Sequence, residues 1–183
     1  RQFNYPATLF VNTETVGGKG YMGWEELKTL QKAGVEIGNH THSHAFFLDL
    51  PVSERHNAFE KDIEQSQKLL KQNLGFTPEL FAYPYGEFDE GMKEIIEKEG
   101  FKAAAAQNSG VVHAGTDLLS LPRFPMSTAY SAIEKFKEKA NMKALKVSEV
   151  VPASYVLSDK NQAPQLTLKF SKEDLRIGQL QCF

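Results

Sequence analysis

The sequence has little of several features that would place it in a special class of protein. A single cysteine, Cys182, leaves no partner for an internal disulfide and leaves the redox compartment open. No apolar run in the sequence approaches the roughly 18 residues of a membrane span. The formal net charge of -2 and the pI near 6.2 provide no field that attracts nucleic acid or an anionic membrane. We therefore predict no nucleic-acid partner and no transmembrane segment, and partners must be inferred from specific sites.

The length and the two chain ends give the first expectations about organisation. With 183 residues, 41% of them apolar, the chain can bury one core and carry a small appendage. It begins at "RQFNYPATLFVN" without an initiator Met or a signal peptide, and it stops on the alternating apolar pattern "LRIGQLQCF". We expect both ends to belong to something longer. Nothing in the pattern predicts an oligomeric state.

Strand-like and helix-like segments alternate through the first two thirds of the chain. The apolar run "ATLFVN" precedes a helical segment that ends at Gly34, and "VEIGNH" precedes a long helix with Ser53 as N-cap and Gly75 as C-cap. "ELFAYPYG" precedes a helix closed by Gly100, and "FKAAAAQ" is a fourth short strand. This alternation predicts an α/β fold with a parallel sheet or barrel. In such folds the site lies at the carboxyl ends of the strands.

The last third of the chain has a different pattern. "LLSLPRFPM" is predicted as a further strand, and Ser127 as the cap of a helix through "AYSAIEKFKEKANM". From about Ala144 the pattern becomes strand-like, in "SEVVPASYVLSD", "QLTLKF" and "LRIGQLQCF". We therefore predict a main domain over residues 1–143 and a small β-rich C-terminal extension over residues 144–183, which carries no chemistry and serves as a packing extension.

Three of the five histidines stand at every second position of "HTHSH". In an extended segment His40, His42 and His44 share one face, whereas in a helical turn His40 and His44 are neighbours and His42 points away. Either geometry brings two imidazoles together, and neutral imidazole binds Zn, Fe, Co or Ni. The cluster therefore predicts a metal site with an open position for water. The other two histidines, His56 in a charged helix and His113 in "GVVHAG", are expected to lie on the surface and in a loop.

"IGNHTHSH" and, some 35 residues later, "LFAYPYGEFDE" resemble motifs of the polysaccharide deacetylases, the NodB-like carbohydrate esterases of family 4. The second family motif, His-(Ser/Thr)-x-x-His, is matched by His40, Thr41 and His44. The resemblance implies that His40 and His44 ligate a divalent metal, with zinc first and Co, Ni or Fe as alternatives. It also implies that Thr41 braces the loop, while His42 and Ser43 fill variable positions.

The third family motif usually reads Arg-x-Pro-Tyr, and here Ala82, Tyr83, Pro84 and Tyr85 stand in its place. The Ala form is similar to the poly-β-1,6-N-acetylglucosamine deacetylase branch. The resemblance implies that the backbone N–H of Tyr85 helps to hold the oxyanion. It also implies that Tyr83, Pro84 and Tyr85 line a sugar groove, with turn packing as the alternative for the first two. Arg123 in "LPRFP" is the candidate to supply the missing arginine's charge and orient the base, with a surface or structural salt bridge as the alternative.

The resemblance covers about residues 5–143 and carries part of an active site. It implies a distorted (β/α) barrel that is N-terminally incomplete, because the family's Asp-Asp pair in "TFDDG" would precede Arg1. One Asp would be the catalytic base and the other a metal ligand, and the histidine acid is also expected outside the chain. The implied reaction is metal-assisted removal of N-acetyl groups from an N-acetylglucosamine polysaccharide, in an extracytoplasmic setting. We expect the chain as given to lack the full catalytic machinery.

Two other functions stay open at this point. A non-catalytic carbohydrate-binding or scaffold module would keep the groove and lack the acidic pair. An amidohydrolase built on His-x-His would need more histidines on later strands, and His56 and His113 alone remain. We therefore favour the deacetylase, with the binding module as the alternative.

Overall fold

A four-stranded parallel sheet forms the centre of the protein. A computed structural model describes residue 3, residues 5–152, residue 156, residues 165–171 and residue 178. The strands lie side by side in chain order: β1 Thr8–Val11, β2 Glu36–Asn39, β3 Leu80–Ala82 and β4 Ala103–Ala105. In register, Phe81 of β3 lies opposite Asn39 on one side and Ala104 on the other. The predicted α/β class with parallel strands is confirmed, and all four carboxyl ends meet at one edge.

Three helices connect the strands: α1 Trp24–Lys32, α2 Val52–Leu74 and α3 Glu90–Lys98. Gly75 closes α2 in the left-handed conformation, with φ 83°, as predicted. The prediction of Ser53 as the N-cap of α2 was wrong, because the helix begins at Val52 and Pro51 holds the cap position. Asp89 caps α3 by accepting a hydrogen bond from the N–H of Met92 at 2.9 Å. Within the described residues, no helix is long and apolar enough to cross a membrane.

Two apolar clusters hold the helices against the sheet. The smaller contains Val11, Leu27, Ile37 and Leu70. The larger is rich in aromatic rings and consists of Phe47, Phe59, Ile63, Phe81, Tyr83, Phe88, Met92, Ile96, Phe101, Ala104 and Ala106. Helix α2 contributes to both, through Phe59 and Ile63 at one end and Leu70 at the other. Because α2 packs across both clusters, it fixes the loops at the ends of β2 and β3 relative to each other.

The segment after β4 departs from the prediction. The predicted strand "LLSLPRFPM" is a short 3-10 turn, Leu118–Ser120, followed by one parallel bridge between Leu121 and Ala105. Pro122 and Pro125 cannot donate backbone hydrogen bonds, so a longer ladder does not form. Helix α4 spans Ile133–Ala140 and does not begin at Ser127, which precedes a separate 3-10 turn, Thr128–Tyr130.

The C-terminal tail contains an antiparallel pair, β5 Val147–Val151 and β6 Thr167–Phe170. These strands form a two-stranded sheet separate from the central one. The third predicted strand, "LRIGQLQCF" with Cys182, lies outside the described residues apart from Gly178. The domain boundary at residue 143 stays a prediction.

Candidate active site

Two loops at the carboxyl edge of the sheet carry the residues that the sequence singled out. The histidine loop, residues 39–44, follows β2, and the tyrosine turn, residues 83–86, follows β3. Asn39 and Phe81 are paired in neighbouring strands, so the two loops leave the sheet next to each other. This is the edge at which parallel α/β folds place their sites.

His40 and His44 bring two imidazole nitrogens to one point. Their Nε2 atoms are 3.1 Å apart, and the rings meet edge to face with centroids 4.6 Å apart. Nδ1 of His40 lies 2.7 Å from the carbonyl oxygen of Ala82. A carbonyl only accepts, so Nδ1 carries the proton and donates it, and the lone pair of His40 Nε2 faces His44.

The surroundings of His40 favour the neutral ring. Burial lowers the pKa of His40, while the hydrogen bond to Ala82 acts in the opposite direction. Nearby positive charge on His44 and on Arg123 also lowers this pKa, because a second cation next to an imidazolium is repelled. Neutral imidazole is the form that binds metal ions.

The histidine pair fits two positions of a divalent metal site. Zn–N bonds of about 2.0–2.1 Å in a tetrahedral arrangement hold two ligand nitrogens about 3.3 Å apart. The Nε2 atoms here are separated by 3.1 Å. Donation of the other ring N–H to a main-chain carbonyl, as from His40 to Ala82, is typical of metal-bound histidine. Within the part of the chain that the structure describes, no group of three His, Cys, Asp or Glu side chains could hold a metal.

The histidine loop passes through two left-handed conformations, at Thr41 with φ 65° and at His44 with φ 55°. Each costs a non-glycine residue about 1–2 kcal/mol, so the loop needs compensating contacts. Thr41 provides two of them: its Oγ1 accepts from the N–H of His44 at 3.1 Å, and its own N–H donates to Asn39 Oδ1 at 2.7 Å. Asn39 and Thr41 are completely buried. The expected bracing by Thr41 is confirmed.

Helix α2 supports the same loop with polar side chains, among them Ser66 and Asp62. Oγ of buried Ser66 lies 2.8 Å and 3.0 Å from the two amide atoms of Asn39. One carboxylate oxygen of Asp62 accepts from the N–H of His42 at 2.6 Å, and both its oxygens lie 3.2 Å from the N–H of Ser43. A carboxylate is a strong acceptor for backbone N–H groups, so Asp62 fixes the middle of the loop.

His42 points away from the pair and fastens the loop to the segment after β1. Its Nδ1 lies 2.9 Å from Thr13 Oγ1, and its carbonyl accepts from the N–H of Glu14 at 3.1 Å and from the side chain of Asn12. Of the two geometries left open by the sequence, the structure therefore shows His40 and His44 as neighbours and His42 apart.

The tyrosine turn also uses left-handed backbone, with φ 57° at Tyr85 and φ 75° at Gly86. Glycine is required at position 86 because an added Cβ would lie 2.2 Å from the Cβ of Gln107. Two backbone hydrogen bonds close the turn, from Gly86 to Tyr83 and from Glu87 to Pro84, and neither uses the N–H of Tyr85. The oxyanion role of that N–H stays a prediction.

Gln107 and Arg123, which both follow β4 in the chain, support the turn. In the amide orientation that satisfies both partners, Gln107 donates to the carbonyl of Tyr85 at 2.6 Å and accepts from Arg123 Nη2 at 3.1 Å. Arg123 Nε donates to the carbonyl of Ala106 at 3.0 Å. Neither partner of the guanidinium is a carboxylate, and its charge acts on His40. Arg123 thus lies near the predicted site, and its role in orienting a base stays a prediction.

The prediction that Tyr83 and Pro84 line a sugar groove is corrected by their burial. Tyr83 is 2% exposed, stacks on Phe88 with centroids 4.6 Å apart, and donates its hydroxyl to the carbonyl of Leu119 at 3.0 Å. Burial raises the pKa of this hydroxyl. Pro84 is also buried. Both side chains pack within the turn and the larger cluster, so they offer no surface to a sugar.

Tyr85 is the exposed member of the predicted groove residues. Its ring meets His44 edge to face, with centroids 4.6 Å apart, and stacks flat on Phe46 with centroids 3.6 Å apart. His40, His44, Tyr85 and Phe46 therefore form a continuous row of rings, which we call the ring row.

The two remaining histidines lie outside this site. His56 is partly exposed and its Nε2 lies 2.9 Å from Asp89 Oδ1, next to the ion pair that Arg55 forms with Asp89 between α2 and the start of α3. His113 lies in a loop, as predicted, where its Nδ1 accepts from the N–H of Gly115 at 3.1 Å.

Four functional neighbours were missed in the sequence: Asn39, Phe46, Asp62 and Gln107. A polar residue at the end of an apolar strand was a signal that Asn39 has a buried partner. Asp62 looks like any charged residue of a long helix, and Gln107 like a loop residue, because their contacts are tertiary. Phe46 follows His44 by two residues, which was the one available hint of a shared surface.

Comparisons with known proteins identify the family and agree with the fold. The family model for polysaccharide deacetylases matches residues 1–104. A poly-β-1,6-N-acetyl-D-glucosamine N-deacetylase of Staphylococcus aureus (strain MRSA252) is 28% identical over 137 residues, which is 69% of this chain and 47% of that protein. The chain thus spans about half the length of this curated relative.

Two solved structures share the fold. The Streptococcus pyogenes deacetylase PplD, in complex with acetate, superposes with a TM-score of 0.68 at 20% identity, covering 77% of this chain and 61% of that one. IcaB from Ammonifex degensii gives a TM-score of 0.64 at 25% identity, covering 76% of this chain and 62% of that one. With more than half of its residues matched by the family, the chain belongs to the polysaccharide deacetylases.

Proposed function

We propose that the chain forms part of a metal-dependent hydrolase that removes N-acetyl groups from an N-acetylglucosamine polysaccharide. The observation that carries this proposal is the convergence of His40 and His44, whose Nε2 atoms are 3.1 Å apart next to the exposed ring of Tyr85. Water adds to the acetyl carbon and the C–N bond breaks, so acetate and a free amine are the products.

The metal proposed for this site is a divalent ion held by His40 and His44. Zinc is the first choice, and Co, Ni and Fe remain alternatives because imidazole binds all of them. When bound, such an ion polarises a carbonyl oxygen and lowers the pKa of water. In this proposal the remaining metal ligand and the catalytic base are carboxylates that lie outside these 183 residues, as the resemblance implies. The histidine acid that protonates the leaving amine also lies outside them.

The described residues have three roles in this proposal. Ala82 and the histidine loop orient His40 and His44, so that the Nε2 atoms of both imidazoles face the same point. Tyr85 donates its backbone N–H to the oxygen that gains charge, and such a donor typically contributes about 10²–10³ in rate. Arg123 places a positive charge near His40 while Gln107 connects it to the turn.

The substrate and location follow from the same proposal. The curated relative is named for poly-β-1,6-N-acetyl-D-glucosamine. We propose a polymer of this class, with chitin and peptidoglycan as alternative linkages, and hence an extracytoplasmic setting where such polymers occur. Exposed aromatic surface next to the histidines is suited to the apolar faces of sugar rings.

The test compares the chain with a His40→Ala, His44→Ala double variant in metal content and in deacetylation of N-acetylglucosamine oligomers. A His113→Ala variant is the matched control, because His113 lies in a loop away from the pair. We expect near-stoichiometric zinc in the wild type and the control, and loss of zinc in the double variant.

The outcomes separate the two candidate functions. Zinc together with acetate release supports the hydrolase and overturns the placement of its carboxylates outside these residues. Zinc without acetate release is the result expected of a partial site whose catalytic base lies outside these 183 residues. Equal zinc in the wild type and the double variant overturns the metal site and favours the carbohydrate-binding module.

A further inference from the structure

The outer part of the ring row is exposed although it is strongly apolar. Phe46 is 47% exposed and Tyr85 is 39% exposed, and neither belongs to the two apolar clusters of the core. Their rings are nearly parallel, with an interplanar angle of 11°. Because Tyr85 covers one face of Phe46, the exposed area of Phe46 comes from its opposite face and its edge.

The position of this pair is fixed by the backbone on both sides. Phe46 lies between the histidine loop and the 3-10 turn Phe47–Asp49, whose first residue is buried in the larger cluster. Tyr85 is held by its left-handed φ of 57° and by the contact of Gly86 with Gln107. Two independently anchored segments thus bring their rings together outside the core, next to His44.

Leaving two aromatic rings half-exposed forgoes the free energy that their burial would provide. A pyranose ring recovers part of it, because its C–H face is apolar and its hydroxyl groups stay in water at the rim. Phe46 has no hydrogen-bonding group in its side chain. It therefore recognises the face of a sugar ring and not the substituents on it.

We propose that Phe46, backed by Tyr85, forms a subsite for a sugar unit adjacent to the one being deacetylated. This inference rests on the proposed function. Phe46 stacks on Tyr85, whose ring in turn meets His44, so the free face of Phe46 lies beyond the unit whose acetyl group faces His40 and His44. The subsite makes the protein prefer oligomers over single N-acetylglucosamine units.

The experiment measures binding of N-acetylglucosamine and of its β-1,6-linked tetramer to the zinc-loaded full chain by titration calorimetry. Phe46→Ala removes the ring, Phe46→Leu keeps apolar volume without a flat face, and Phe46→Trp keeps the face. Tyr130→Ala is the control, since Tyr130 is also exposed but lies in the segment after β4. Zinc content and thermal unfolding of each variant are measured alongside.

We expect Phe46→Ala and Phe46→Leu to weaken tetramer binding about five- to tenfold, which is the size of one aromatic contact. Binding of the monomer should stay within about twofold of the wild type, and Phe46→Trp should bind the tetramer as the wild type does. Zinc content should not change in any Phe46 variant.

Four results would overturn the inference. Tetramer binding that is unchanged in Phe46→Ala, or weakened equally by Tyr130→Ala, shows that no sugar stacks on Phe46. Equal weakening of monomer and tetramer places the effect on the reacting unit instead. A wild type that binds zinc but no tetramer also rejects the subsite, while zinc content and acetate release report separately on the proposed function.

Discussion

The histidine loop and the tyrosine turn both bend through left-handed backbone, but the protein holds them by different means. The histidine loop rests on buried polar groups, with Asn39 and Thr41 completely buried and Asp62 accepting its backbone N–H groups. The tyrosine turn rests on close packing, with Gly86 against Gln107 and the ring of Tyr85 against Phe46.

This difference follows from what each loop presents. Imidazole ligands must keep a defined direction, and directional hydrogen bonds supply it. A surface for sugar rings needs flat apolar area, which stacking supplies without direction. Substitutions in the two loops should therefore destabilise the protein in different ways. In the histidine loop they remove buried hydrogen bonds, and in the tyrosine turn they create steric conflict.

The largest effect is expected when the packing of the tyrosine turn is broken. Gly86→Ala combines a left-handed φ of 75° with a Cβ placed 2.2 Å from Gln107 Cβ. We expect the free energy of unfolding to fall by about 3 kcal/mol or more, as measured by urea denaturation.

Gly75→Ala is the matched control, because Gly75 has a φ of 83° and nothing within 4 Å of its added Cβ. It should lose about 1 kcal/mol from backbone strain alone. Equal losses in the two variants would show that contact with Gln107 contributes nothing to the turn.

A somewhat smaller loss is expected when the polar support of the histidine loop is removed. Asn39→Ala leaves the buried N–H of Thr41 without its acceptor, whereas the hydroxyl of Ser66 keeps the carbonyl of Ile63 as a partner. We expect a loss of about 2–3 kcal/mol in the free energy of unfolding. The control Asn73→Ala removes one hydrogen bond, to the carbonyl of Leu69 on α2, and should cost about 1 kcal/mol or less. A similar cost for both would contradict the polar-support interpretation.

Asp62 allows a further test of how the histidine loop is held, because its carboxylate binds the backbone of the loop and not the rings of His40 and His44. Asp62→Ala should lower zinc affinity about 10- to 100-fold, because the loop then no longer fixes the direction of the two imidazoles. Competition with a zinc chelator measures this affinity. Glu64→Ala, an exposed neighbour on α2, is the control and should leave the affinity unchanged. Unchanged affinity in Asp62→Ala would mean that the histidines are held without it.

The smallest effects should distinguish the two tyrosines of the turn. Tyr83→Phe removes the buried hydroxyl that donates to Leu119, with an expected loss of about 1 kcal/mol in thermal unfolding. Tyr85→Phe removes an exposed hydroxyl and should change stability by less than about 0.5 kcal/mol. Equal effects would contradict the assignment of one ring to the core and the other to the surface.

Much of the fold was predictable because short apolar runs alternate with helical periodicity. The strand "VEIGNH" and the helix end at Gly75 were visible as local patterns. The segment around Leu121 was not, because its apolar residues suggest a strand while its two prolines reduce it to one bridge. The start of α2 was misjudged because a serine is the commoner cap.

The site was predictable where chemistry is concentrated in sequence and not where it depends on tertiary contacts. The spacing of the three histidines predicted a metal site, and the resemblance to the family motif singled out His40 and His44. The sequence could not separate Tyr83 from Tyr85, because the left-handed conformation of Tyr85 sends two similar rings in opposite directions. Asp62 reaches the loop across 20 residues of chain, which no local pattern shows.

The hydrogen bond from His40 to the carbonyl of Ala82 has a consequence for how this site tolerates mutation. The acceptor is part of the main chain, so it is provided by strand pairing and not by the identity of the side chain at position 82. An alanine there preserves the proton position on His40 as well as any larger residue would. The tautomer of His40 is thus set by the pairing of the strands, and it does not depend on which side chain stands at position 82.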